Sequence, residues 1–461
     1  MEITKQLARL IAETDYENLP TEAVVAAKRL ILDCVGVTIA GSLEPAGRLV
    51  VDLVKKMGCA SQATVVGAGF RTSSPDAALA NGTMAHALDY DDMTSGGIRG
   101  HPTAVLLPVL LSLGEEVKAS GHEIIAAYIL GFETESQLGD AMSAAYSDDL
   151  GWHPTAPLGT IGSAVAATKL LKLNKEKTVT AIAIAASHAA GLRQNFGTMT
   201  KPFHVGNAAK NGIISAMMAK EGFTAAQDPL EGQFGFCHAF SGGHSYDLNK
   251  ILQNWGEPYQ VISPGPGIKL YPCCGSAHGA LDAIFPLIQK YSVPPEKISA
   301  IEVSVPFDPP RSLIHDDPQT GLEGKFSLQY CLAAALVDHK LRLGTFTTEQ
   351  VQRPEIRKLF DKIRMFRQPG MEGRPSWETQ EYVVTVKMNN GESYSQETLA
   401  PLSAINRQVT RQELLDKYRD CASLLLPEAD VEASLELLEN LEKLPDITRL
   451  NEIIIQGKTK R

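Results

Sequence analysis

The chain has 461 residues, too many for one ordinary hydrophobic core, so two or three domains are expected. Apolar residues make up 44% and charged residues 21%, an ordinary globular mixture, and the formal net charge of -10 excludes a broadly basic nucleic-acid surface. A locally cationic pocket for an anionic small molecule stays open.

The start, Met1-Glu2-Ile3-Thr4-Lys5, runs straight into a helical pattern and lacks the basic-then-apolar layout of a signal peptide. Thr4 to Ala12 places Leu7, Leu10 and Ile11 on one face. Pro20-Thr21-Glu22-Ala23 reads as a helix start, followed by Val24, Val25, Ala27, Leu30, Ile31 and Cys34 at helical spacing. An Ala-rich run from Ala78 leads into His86-Ala87-Leu88-Asp89-Tyr90-Asp91-Asp92, then a glycine-loosened segment and His101-Pro102. Ala104 to Val117 and Glu123 to Phe132 read as apolar helices. Thr160 to Leu171 and Val179 to Leu192 are rich in small residues that let helices approach closely. The stretch from Thr180 to Leu192, interrupted by Ser187 and His188, is too short to span a bilayer, so a cytoplasmic protein without a membrane partner is expected.

The texture changes at Ser263-Pro264-Gly265-Pro266-Gly267, which marks a linker or domain edge. Ile298 to Val305 alternates as a strand does, and Tyr382 to Glu397 reads as a hairpin around Asn389-Asn390-Gly391. A helix opened by His278 is expected to stop near Phe285, before Pro286, and Phe326 to Leu336 reads as a buried helix. From Thr410 helical spacing returns at Leu414, Leu415 and Tyr418, then at Val431, Leu435, Leu438 and Leu441. The basic tail Gly457–Arg461 is expected to fray. No G-x-G-x-x-G unit or Walker loop occurs. The seven cysteines (Cys34, Cys59, Cys237, Cys273, Cys274, Cys331 and Cys421) form no C-x-x-C pair, and zinc-ribbon and ferredoxin-type cluster spacings are absent. Reduced, mostly buried thiols are expected.

Reactive side chains concentrate in five places. The first is His86 with Asp89, Asp91 and Asp92, closed by His101. The others are Gly151–Ala156 around His153, Asn195–Lys210, Lys269–His278 and Lys325–Cys331. His101 and His153 each follow a glycine-containing loop, precede a proline and stand before an apolar helix. Such a position offers N–H groups and a positive dipole end to an anion, and it favours a neutral imidazole. Plain capping is the competing reading for each. Lys201 precedes Pro202, which predicts an extended backbone; Lys201, His204 and Lys210 would set positive charge beside a carboxylate, or simply be solvated. His86, with His122, His188, His238, His244 and His339, reads as structural. The aspartates could hold Mg²⁺, but no second aspartate-rich motif supplies the other half of such a site, so no metal is expected.

Taken together, these segments resemble the MmgE/PrpD family. The resemblance is carried by Ala80-Asn81-Gly82 through His86-Ala87-Leu88-Asp89-Tyr90-Asp91-Asp92, by Asn195–Ala209, by Tyr271-Pro272-Cys273-Cys274 through His278, and by Phe326-Ser327-Leu328-Gln329-Tyr330-Cys331. It implies a mainly α protein: a large helical domain from residues 1–264, an α+β lid at 265–400, and C-terminal helices at 401–461 returning to the helical domain. It also implies a homodimer with its site between the domains. The chemistry would be that of 2-methylcitrate dehydratases, cis-aconitate decarboxylases and iminodisuccinate epimerases, which make or discharge a carbanion-like centre beside carboxylates without a cofactor. Carried over residue by residue, Asp89, His101, His153, Lys201 and His278 become the expected catalytic set. Arg99, His204 and Tyr330 become substrate-binding candidates, and Asp91 and Asp92 are expected to serve structure.

One departure bears on the reaction. Met93-Thr94-Ser95-Gly96-Gly97-Ile98-Arg99-Gly100 stands where decarboxylase-like members carry a further histidine. That weakens a decarboxylase and leaves dehydratase and epimerase open. The family resemblance and the missing cluster cysteines favour a lyase dehydrating a 2-methylcitrate-like di- or tricarboxylic acid, with an epimerase or a decarboxylase as the alternative enzymes and a non-catalytic carboxylate binder as the alternative of another class.

Overall fold

The computed structural model describes residues 2–94, 96–143, 145–291, 293–369, 381–399 and 409–455. The expected fraying at Gly457–Arg461 lies outside them. The fold is mainly α, with small sheets. No helix among the described residues is long and apolar enough to cross a membrane. By contact the chain divides into two compact units. The first comprises 1–194, 199–266 and 410–461; the second comprises 195–198 and 267–409.

The first unit is built from helices, and Ser74–Ala87, Pro102–Val117 and Thr155–Leu170 bury nearly all their residues. Ser74–Ala87 packs against Thr200–Lys220, which also packs on Thr155–Leu170; Pro102–Val117 and Gly121–Ala141 complete the group. Small side chains make this possible. A Cβ on Gly206 would lie 2.1 Å from the Leu79 carbonyl oxygen, and one on Gly82 would lie 2.7 Å from the Gly206 Cα, so the two backbones touch where these helices cross. A short hairpin of β1 (Ala63–Val65) and β2 (Phe70–Thr72) lies alongside. Asn81 ties it to the helix bearing the charged string, accepting from the Val66 N–H at 3.0 Å and donating to the Thr64 carbonyl at 2.9 Å.

The second unit holds a four-stranded sheet in the order β4 (Ile363–Arg367), β3 (Ile298–Val305), β5 (Glu381–Met388), β6 (Ser393–Leu399). β3 runs parallel to β4 and antiparallel to β5, and β5 and β6 form a hairpin. Period-2 alternation buries Tyr382, Val384, Val386 and Met388 on one face of β5. The helices His278–Tyr291 and Leu328–Asp338 pack together, and the first covers β5 and β6.

Two local expectations are corrected. Helix His278–Tyr291 runs through Pro286, which stands at an exposed position of the helix, where a proline is less disruptive than in the core. Lys201 is helical, the second residue of Thr200–Lys220, because Pro202 falls in the first turn, where its missing N–H costs no intrahelical bond.

Candidate active site

The charged string begins where helix Ser74–Ala87 stops. Leu88 caps it and Asp89 turns the chain at φ 51°, a left-handed conformation that aspartate tolerates better than most residues. The turn brings Asp89 Oδ1 to 3.8 Å from His86 Nε2. Behind it, Lys417 of helix Arg411–Ala422 donates to the Tyr90 carbonyl at 2.8 Å, pairs with Asp33 at 2.8 Å, and lies 4.0 Å from the Tyr90 ring centre. A buried ion pair thus anchors the peptide between Asp89 and Asp91. Removing one partner of such a pair typically costs roughly 3–5 kcal/mol, because the other charge stays buried.

The glycine crossing lets Lys201, buried at the start of its helix, reach this turn. Its Nζ donates to Asp89 Oδ1 at 2.6 Å and lies 2.7 Å from His86 Nε2. On the far side of the His86 ring, Nδ1 donates to Asp91 at 2.9 Å. His101 closes the group: its Nδ1 is 3.1 Å from Asp91 Oδ2 and 2.8 Å from the Asp92 carbonyl oxygen. Neither a carboxylate nor a carbonyl oxygen donates, so both rings carry their proton on Nδ1 and present the lone pair of Nε2. The His86 and His101 ring centres are 4.4 Å apart. His153 lies on the other side of His86, its ring centre 6.1 Å away, and its Nδ1 is 3.2 Å from His204 Nδ1. One nitrogen of that pair donates and the other accepts.

Burial sets the charge states. It pushes His86 down to about 3, with the Lys201 charge acting in the same direction and Asp91 against both. His153 is held well below the usual range by burial and then by Lys201, and His204 is pushed down to about 4 by the same two causes. Burial alone would raise Asp91, but the two imidazoles facing it reverse that and hold it well below the usual carboxylate range. The cluster therefore sets an ionised Asp91 among imidazoles of which His86, His153 and His204 stay neutral near pH 7.

Asp92 is different. Burial pushes it up to about 8, against the hydrogen bonds from Thr103 and reinforced by the charges of Asp91 and Asp33. It accepts from the Thr103 N–H at 3.2 Å and hydroxyl at 2.7 Å, and that hydroxyl meets the Tyr128 hydroxyl at 2.6 Å. The folded state keeps this proton from about pH 4 to about pH 8, where the unfolded chain releases it. The group therefore lowers stability as pH rises through that window, by up to about 1.4 kcal/mol per pH unit. In Asp92→Asn the amide stands in for the protonated acid. The variant should melt like the parent near pH 4.5 and above it by a margin that grows to pH 8 and then levels. Thermal melts of both chains across pH 4–9 check this, and a constant margin would contradict it.

The structure thus brings Asp89, His101, His153, Lys201 and His204 together in the first unit. It adds two residues that the sequence assigned to structure. His86 is at the centre, and Asp91 accepts from two of its imidazoles. Periodicity could not flag His86, since every residue of its helix from Asp76 to Ala87 is buried, and Asp91 lies past the helix in an irregular turn. Arg99 is half-buried; burial raises the nearby Asp140 carboxyl, and the Gly97 N–H, the Lys250 charge and, least, the Arg99 charge act against that. His278 and Tyr330 belong to the second unit. His278 is buried, with Nε2 3.2 Å from the Cys273 carbonyl and its ring edge-on to Tyr271. Tyr330 is a core residue rather than a substrate contact: it is fully buried, its hydroxyl donates to the Thr345 carbonyl, and its ring packs edge-on to Phe346 and Phe360. Phe196, four residues before Thr200, packs on Phe326 in the same unit. Of the described residues, His86, Asp89, Asp91 and His101 offer donor atoms that all lie within 4.8 Å of one another, the one such group of metal-ligating side chains.

Comparison with known proteins finds similarity along nearly the whole chain. Cis-aconitate decarboxylase of Mus musculus is 28% identical over 465 residues, covering 98% of this chain and 93% of the relative. The Homo sapiens and Aspergillus terreus cis-aconitate decarboxylases are also 28% identical, covering 98% of this chain and 94% and 96% of theirs. The MmgE/PrpD N-terminal domain model matches residues 5–249, which hold the whole imidazole–lysine–carboxylate cluster, and the MmgE/PrpD C-terminal domain model matches residues 271–443. The chain belongs to the MmgE/PrpD family.

Proposed function

We propose that this protein is a lyase of a di- or tricarboxylic acid that works by moving a proton beside a carboxylate, with dehydration of a 2-methylcitrate-like hydroxy acid as its reaction. One observation carries this: a buried lysine ammonium stands 2.7 Å from the lone-pair nitrogen of a histidine held neutral. A neutral imidazole is a competent base, and an ammonium in a dry setting is a strong partner for a carboxylate and for the enolate-like charge that develops when the adjacent C–H is broken. His101, presenting Nε2, serves as the base candidate, and His86, whose Nε2 faces the Lys201 ammonium, holds that ammonium in place. Lys201 binds the substrate carboxylate, Asp89 orients Lys201, and the His153–His204 pair supplies a route for the proton that protonates the leaving hydroxyl. Arg99 and His278 are further candidates for holding carboxylates. Because the Lys201 ammonium provides the positive charge, a chelator should leave turnover unchanged.

The curated relatives favour a second reaction, decarboxylation of cis-aconitate, for which Lys201 would deliver the proton that replaces carbon dioxide. Both are tested together by incubating the protein, with and without EDTA, with citrate and 2-methylcitrate stereoisomers and with cis-aconitate in D₂O, followed by proton NMR and carbon dioxide release. Dehydration forms a new vinylic product from a hydroxy acid without gas. Decarboxylation releases carbon dioxide from cis-aconitate and incorporates one deuteron. Turnover of none of these acids at high enzyme concentration overturns the assignment.

A further inference from the structure

The donors around Lys201 have the layout of a metal centre. His86 Nε2 and His101 Nε2 lie 3.8 and 3.9 Å from Asp89 Oδ1. Neighbouring ligand atoms of a tetrahedral zinc ion with bonds of 2.0–2.1 Å stand roughly 3.4 Å apart, so each of these edges needs a contraction of only about half an ångström. Two imidazoles and one carboxylate form a three-ligand set with a further position open. The outer layer fits as well. Metal-bound histidines usually donate the other ring N–H to a carboxylate, and here both Nδ1 atoms face Asp91, at 2.9 and 3.1 Å. What distinguishes the site is its cation: the Lys201 ammonium sits 2.6 Å from Asp89 Oδ1 and 2.7 Å from His86 Nε2, among the atoms that would bind the metal.

We propose that His86, His101 and Asp89, backed by Asp91, form a binding site for a divalent first-row transition metal ion, and that the Lys201 ammonium holds this site in the metal's place. An ion entering the unmodified chain must displace a buried charge from its hydrogen bonds, so such ions bind weakly and in competition with Lys201. Removing the lysine opens the site. The inference needs no knowledge of the reaction, because it concerns only the donor set and the ammonium among it.

Equilibrium dialysis with zinc, and titration with cobalt(II) followed by its visible absorption, test it on the full chain. Lys201→Ala and Lys201→Ser are titrated beside wild type, with circular dichroism and melts establishing that they are folded. One zinc per chain should bind to the variants with a dissociation constant at least ~10-fold below wild type, and cobalt should give the intense bands of four-coordinate nitrogen–oxygen ligation. Adding His86→Ala to Lys201→Ala should abolish those bands. Adding Asp91→Ala should weaken binding ~10- to 100-fold, the usual effect of losing an outer-layer carboxylate. Wild type, which needs no substitution, should give the same bands at higher cobalt concentration. Folded lysine variants that bind zinc no better than wild type overturn the proposal, as do four-coordinate bands that persist without His86 or that no chain shows at all.

Discussion

Replacing Lys201 with alanine should lower turnover ~10²-fold or more while leaving a folded protein. The ammonium is a positive charge placed against both Asp89 and His86, and the loss of a group that stabilises developing negative charge in a dry site has effects of this size. The fold should tolerate the change because the helix crossing that positions Lys201 rests on Gly82 and Gly206, not on the lysine. A pH profile separates this role from mere packing. The Lys201 charge helps to hold His86, His153 and His204 low. Without it their pKa values rise toward 6.5, so the acid limb of the residual activity should move to higher pH. Assays belong in EDTA, since the variant opens a site for adventitious metal. Wild-type turnover in a folded variant would remove Lys201 from the reaction, and an unmoved acid limb would separate it from the histidines.

Asp91→Asn should be nearly as damaging, ~10²-fold, although Asp91 is assigned no contact with substrate. The carboxylate accepts from His86 Nδ1 and faces His101 Nδ1, offering each ring N–H an oxygen of its own. An amide offers one oxygen and one NH₂. An NH₂ turned toward His86 makes that ring accept at Nδ1 and carry its proton on Nε2, whereas one turned toward His101 leaves that ring held by the Asp92 carbonyl. The effect should fall on kcat more than on KM, because binding through Lys201 is left intact. The pH signature is opposite to that of Lys201→Ala: Asp91 raises the His86 pKa, so its loss should move the acid limb down or leave it in place. Nitrogen-15 NMR of the labelled imidazoles reads the tautomers directly. Two unchanged Nδ1–H tautomers in Asp91→Asn, or unchanged kcat, would refute the orienting role.

Much of the fold was legible along the chain because its signals are local. Period-2 alternation marked Ile298–Val305, and Asn389-Asn390-Gly391 marked the hairpin turn, where Gly391 takes φ 89°. Pro20-Thr21 marked the start of helix Thr21–Gly41. The errors were places where a local rule met a larger context. Pro286 does not end its helix because its ring faces water, and Lys201 is helical because Pro202 falls in a first turn.

The sequence by itself determined that this is a mainly α chain with a smaller α+β part, that it belongs with carboxylic-acid enzymes of one family, and that Asp89, His101, His153 and Lys201 deserve testing. Only the tertiary structure decided the rest of the cluster. His86 stands in a helix whose neighbours are all buried alike, and Asp91 in an irregular turn with no period to read, so no pattern along the chain separates them from structural residues. Their part depends on what lies across from them: Lys201, 115 positions away from His86, brought near by two helices whose glycines let the backbones touch. Charge state follows the same rule. A histidine near 3 and an aspartate near 8, six residues apart, differ through burial and partners, which are properties of the folded neighbourhood and not of the residues themselves.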